Sequence, residues 1–80
     1  MTNSIKVSWI KRHSSRSLGY TWTMSRTRDI VRDLGYTVQN NPPAVMIDFV
    51  LVQDMAEAYR IQRALKTHNK NIPVKIEPQT

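Results

Sequence analysis

No cysteine occurs in these 80 residues, which excludes disulfides and thiolate metal sites and leaves stability to packing. Glycine is nearly as scarce, with only Gly19 and Gly35, so no glycine-rich phosphate loop is present. Acidic residues number six against twelve lysines and arginines, and a net charge of +6 makes an acidic partner the expected one. No hydrophobic run approaches membrane-spanning length and no signal-peptide core follows Met1, so a soluble, cytoplasmic protein that avoids membranes is expected. His13 and His68 lie far apart with no matched nucleophile or carboxylate, so neither a catalytic group nor a zinc site emerges. The expectation is a protein that is not an enzyme and needs no cofactor or metal.

What is present begins with charge placement. Lys6, Lys11, Arg12, Arg16, Arg26, Arg28 and Arg32 all fall in the first 33 residues, against only Asp29 and Asp33. Between Lys11 and Arg26 there is no carboxylate, and the cations are interleaved with Tyr20, Trp22 and serine or threonine hydroxyls. Cations neutralise phosphates, hydroxyls add hydrogen bonds and flat rings stack on bases, so this composition suits RNA or DNA. The expected contacts are Lys11, Arg12, Arg16 and Arg26, with Tyr20 or Trp22 as a stacking platform and Arg28 and Arg32 extending the patch along a helix. The competing reading folds Trp22 and Tyr20 back onto the core and leaves a solvated loop.

Hydrophobic periodicity supplies the order of elements. Ile5, Val7 and Trp9 alternate as on a half-buried strand. Thr23 or Ser25 caps a helix over Arg26 to Leu34, with Thr27, Ile30, Val31 and Leu34 inward and Gly35 as its left-handed stop. Tyr36 to Gln39 reads as a brief strand, and Asn40-Asn41-Pro42-Pro43 as a turn. Ala44 to Val52 reads as a central strand, with Val45, Ile47, Phe49 and Leu51 facing the helices and Met46, Asp48, Val50 and Val52 on the open side. Asp54 and Glu57 have capping-box spacing for a helix to about His68, whose inward face is Met55, Ala58, Ile61 and Leu65. Ile72 to Ile76 reads as a last strand, which Pro73 either places at a sheet edge or makes irregular in its first residues, and residues 77–80, like 1–4, as frayed ends.

Strand, helix, strand, strand, helix, strand is the α+β, ferredoxin-like split βαβ order (βαββαβ). The expectation is one domain over residues 1–80, a four-stranded antiparallel sheet with two helices on one face. RNA-recognition modules with this order stack bases on aromatics of the first and third strands. Here the third strand lacks their pattern, and Phe49 is assigned to the helix side. Asp48 in an apolar strand is the chemical anomaly, expected to pair with Lys6 or Lys75 across the open face. Two functions remain: nucleic-acid binding of low sequence preference through the basic loop, or a regulatory protein-interaction module that docks an acidic protein or forms a homodimer through the open face or an edge strand.

Overall fold

The computed structural model describes residues 4–15, 20–38 and 45–79. Seven elements follow in order: β1 (Ser4–Ile10), β2 (His13–Ser15), β3 (Tyr20–Trp22), α1 (Met24–Asp33), β4 (Ile47–Val52), α2 (Met55–His68) and β5 (Val74–Gln79). β1 lies between β4 and β5 and is antiparallel to both, and β2 pairs with β3 in a separate two-stranded ribbon. This is a small α+β fold with two helices, a three-stranded sheet and a hairpin.

The expected four-stranded sheet is not formed by the described residues. Tyr36 to Val38 are not in a strand, while Gln39 and the Asn40 to Pro43 turn lie outside the described residues. The physical reason begins at the end of α1. Gly35, at φ +97°, donates its N–H to the Arg32 carbonyl at 2.8 Å, and the Tyr36 N–H reaches the Val31 carbonyl at 3.4 Å. This Schellman closure takes a donor that a strand ladder would need. Tyr36 and Val38 still turn inward, and Val38 is buried in the core. β5 runs through residues 77–79, which the sequence marks as a frayed end, and β1 starts at Ser4.

Both helices cover one side of the sheet. The N-cap of α1 is Thr23, whose hydroxyl accepts the Arg26 N–H, and the N-cap of α2 is Asp54, whose carboxylate accepts the Glu57 N–H at 2.9 Å. Glu57 returns a bond to the Gln53 N–H at 3.0 Å, so the start of α2 is fixed from both sides. α2 packs on all three strands and on α1. Ala58, Ile61 and Leu65 are buried against Ile5, Val7 and Trp9 of β1 and Val50 and Val52 of β4. Met55, expected in that face, is exposed.

The register corrects the facing of β4. Ile5, Val7 and Trp9 stand opposite Val52, Val50 and Asp48, so these three β4 residues share the helix side. Ile47, Phe49 and Leu51 therefore face away from the helices, the reverse of the sequence expectation. β4 is apolar on both faces, so alternation alone left its phase undetermined. Asp48 settles it by finding a cation inside rather than on the open face: Arg28 of α1 donates Nε to Oδ2 at 2.9 Å and Nη2 to Oδ1 at 3.0 Å. Neither Lys6 nor Lys75 is its partner; Lys6 lies over the Phe49 ring and Lys75 pairs with Glu77.

Candidate interaction surfaces

The basic stretch between β1 and α1 is organised by the hairpin β2 to β3, whose pairs are His13 with Trp22, Ser14 with Thr21 and Ser15 with Tyr20. Trp22 anchors it. Its indole N–H donates to the Ile10 carbonyl at 2.9 Å, its ring stacks on His13 at 4.9 Å, and it is 4% exposed. That geometry makes Trp22 a core residue and removes it as a platform for bases. Lys11 is 1% exposed, its N–H bonds the Met46 carbonyl, and its own carbonyl accepts the Thr27 hydroxyl at 3.1 Å. Its backbone thus ties β1 to α1 while the side chain lies in the interior.

Of the other expected phosphate contacts, Arg28 is committed to Asp48, and the pair raises the guanidinium above its ordinary value, chiefly through the hydrogen bonds. Arg12, Arg26 and Arg32 are exposed. Arg32 sits in the last turn of α1, where a cation favours the negative end of the helix dipole. Arg16 and the side chain of Tyr20 lie outside the described residues. A cavity of about 610 Å³ opens between the hairpin and the start of α1, where Arg12 and the hydroxyl residues Ser14 and Thr21 meet Met24 and Met46. The sequence-predicted cluster is therefore divided: two of its members are interior, one is an ion-pair partner, and Arg12 and Arg26 remain at the surface near this cavity.

A second surface was not expected in this form. The open side of the sheet has three rows in register: Ile47 beside Ile10, Phe49 beside Ser8 and Lys75, and Leu51 beside Lys6 and Glu77. Ile47 and Leu51 are 44% and 51% exposed. The Lys6 ammonium lies 4.7 Å from the centre of the Phe49 ring, a cation-π contact. Bridging the last two rows, Lys75 and Glu77 form an exposed ion pair at 2.8 Å, which raises the lysine and lowers the carboxylate from their ordinary values. Such a pair in water adds little stability. The signal that could have revealed this face is the pairing partner of Asp48, because a carboxylate placed inward forces Ile47, Phe49 and Leu51 outward.

A smaller cavity of about 340 Å³ borders that face at the start of β5, between Ile10, Ile47, Pro73 and Val74, with Lys66 and Lys75 at its edge and Trp9 in its wall. No family model, curated protein or solved structure matches this chain. No helix among the described residues is long and apolar enough to cross a membrane.

Proposed function

We propose that this protein is a docking module that binds an acidic, partly apolar protein surface through the open face of its three-stranded sheet. The observation that carries this reading is the outward stripe Ile47, Phe49 and Leu51, continued by Ile10. An antiparallel sheet with one wet face ordinarily turns polar side chains to water, and here the wet face of β4 is apolar. Burying that stripe is favourable by roughly 25 cal/mol per Å² of apolar surface removed from water. Lys6 and Lys75 border it, and the +6 chain charge steers acidic partners toward it.

The strand order supports this use. β4, α2 and β5 form a unit in which β4 and β5 run in the same direction with β1 between them, and both helices lie behind the sheet. No described helix or strand covers the front. The test is a titration of the isotope-labelled protein with a short acetylated peptide of leucine and glutamate, following backbone amides. Saturable shifts at Ile10, Ile47, Phe49 and Leu51, weakened by salt and lost in Leu51→Lys, are expected. Shifts confined to the hairpin and α1 would overturn the reading. A mass that rises with concentration and falls to the monomer in Leu51→Lys would assign the face to a second copy instead.

RNA or DNA binding of low sequence preference is favoured by a different observation, the cavity beside the hairpin, where Arg12 and hydroxyl residues meet without a carboxylate among the lining residues. Arg26 follows on the first turn of α1, which carries no acidic residue. Phosphate contacts there would make affinity fall steeply with salt, and Arg12→Ala with Arg26→Ala would flatten that slope.

A further inference from the structure

The cavity of about 610 Å³ beside the hairpin brings together polar and apolar groups from different elements. Ser14 and Thr21 are direct partners across β2 and β3, so their side chains share one face of the hairpin, opposite to the face on which His13 stacks on Trp22. Both are exposed, as is Arg12 just before β2. Met24 opens α1 and Met46 leads into β4. Both line the cavity, yet they keep 37% and 40% of their surface exposed. This is apolar area that a ligand can cover.

The backbones of the two methionines are fixed before anything binds. The Met46 carbonyl accepts the Lys11 N–H at 2.8 Å, the Lys11 carbonyl accepts the Thr27 hydroxyl at 3.1 Å, and the same hydroxyl lies 3.0 Å from the Met24 carbonyl. One chain of contacts thus holds both residues, while their side chains stay adjustable. A flexible, polarizable thioether packs favourably on a flat ring. Trp22 is bonded into the core, so apolar cover for a base falls to Met24 and Met46. The polar groups specify what the ring carries. Arg12 and the hydroxyls of Ser14 and Thr21 suit a phosphate and its sugar, and no carboxylate is among the described lining residues. Arg26 follows Ser25 of the lining and supplies a second cation for the next phosphate of a strand.

We propose that this cavity seats one unpaired nucleotide of a single-stranded nucleic acid, its base covered by Met24 and Met46, its sugar against Ser14 and Thr21 and its phosphate on Arg12. The proposal rests on the nucleic-acid reading of the hairpin side and adds to it a requirement for an unpaired base. A base in a duplex is stacked and paired, so only a single strand presents one to the cavity without first unpairing. Thioethers cover the face of any base, so the sequence preference is low.

The experiment uses the full chain labelled at its methionine methyl groups, with Met55, which does not line the cavity, as internal control. The probes are a short oligodeoxyadenylate, a strand of the same length without bases, a duplex of the same length, adenosine monophosphate and the leucine-glutamate peptide. The oligodeoxyadenylate should move the Met24 and Met46 methyl resonances upfield and saturably, through the ring current of adenine, and leave Met55 in place. The abasic strand and the duplex should leave all three in place. The abasic strand with the wild type, and the oligodeoxyadenylate with the Met24→Ala, Met46→Ala double variant, should each bind about tenfold more weakly, the loss of two sulfur–ring contacts. The salt slope of the double variant should stay unchanged, whereas Arg12→Ala flattens it. The methyl shifts are read on the wild type, so they decide the matter even where a variant loses stability. If the strands bind in a salt-dependent way while both methyls stay fixed, the base seat is wrong and the phosphate contacts stand. If no nucleic acid binds at low salt, both fall. If the duplex moves the methyls as the single strand does, if adenosine monophosphate binds as tightly as the strand, or if the peptide moves the methyls at lower concentration, the proposal is overturned.

Discussion

Arg28 and Asp48 are joined by two parallel hydrogen bonds of 2.9 and 3.0 Å that bind α1 to β4 across the helix side of the sheet. The carboxylate is fully buried, while the guanidinium keeps some contact with water. Arg28→Ala leaves a buried charge without its partner and should remove about 3 to 5 kcal/mol, a large part of the roughly 5 to 15 kcal/mol typical of a small domain. Replacing the pair together, Arg28→Met with Asp48→Leu, should recover most of that loss. Urea unfolding of the two variants is the check, and an unchanged midpoint for Arg28→Ala would contradict the pairing.

Trp22 separates an interior role from a base-stacking one. Trp22→Phe keeps most of the ring volume but leaves the Ile10 carbonyl without its donor, and should lower stability by about 0.5 to 1.5 kcal/mol. Trp22→Ala should lower it by about 3 to 5 kcal/mol through the cavity it opens. A surface platform would leave thermal melting unchanged in both variants.

Gly35 is required for its backbone rather than its size. No atom lies within 4 Å of where a Cβ would stand, but φ is +97°. Gly35→Ala should therefore cost about 1 to 2 kcal/mol from conformation alone, with Gly35→Asn less harmful. Equal stability of the alanine variant and the wild type would show that the turn rearranges at no cost.

Tyr36 gives the fold an alkaline limit. Partial burial first, and then the negative field of Glu57, raise its phenol above the ordinary 10.0, with Arg60 opposing. Its hydroxyl also donates to Glu57 across a long 3.5 Å. A raised value means that the protonated phenol is favoured in the folded chain. The contribution is complete below pH 10 and is lost as pH rises through the folded value. Phenolate absorbance should show a component above the ordinary range that disappears in Tyr36→Phe, and the variant should lose less stability at alkaline pH.

The helices were legible because their ends carry chemistry in single residues: Thr23 and Asp54 as caps, Gly35 as the stop. β1 was legible from the alternation of Ile5, Val7 and Trp9. The hairpin was not, since three-residue strands such as His13–Ser15 offer too few positions for a period and contain almost no apolar side chains. Among its described residues Trp22 is the buried one, held by a bond to a carbonyl twelve residues away. The basic site was read from composition, which counts charges without direction. Lys11 turned inward and Arg28 was drawn to Asp48, neither of which is visible before the elements pack. The facing of β4 was lost for the same reason, because the partner that makes an inward Asp48 tolerable comes from another element.

The central position of β1 makes the sheet open to exchange between molecules. Val7 pairs with Val50 on one side and Ile76 on the other, so β4 and β5, joined through α2, are neighbours only by way of a strand distant in sequence. A chain in which β4, α2 and β5 assemble first holds a vacant slot one strand wide with hydrogen-bonding edges on both sides. Its own β1 must close a long loop to reach that slot, whereas at high concentration the β1 of another molecule competes for it. Refolding at high protein concentration should accordingly yield strand-swapped dimers that dissociate slowly, and refolding at low protein concentration should yield monomers.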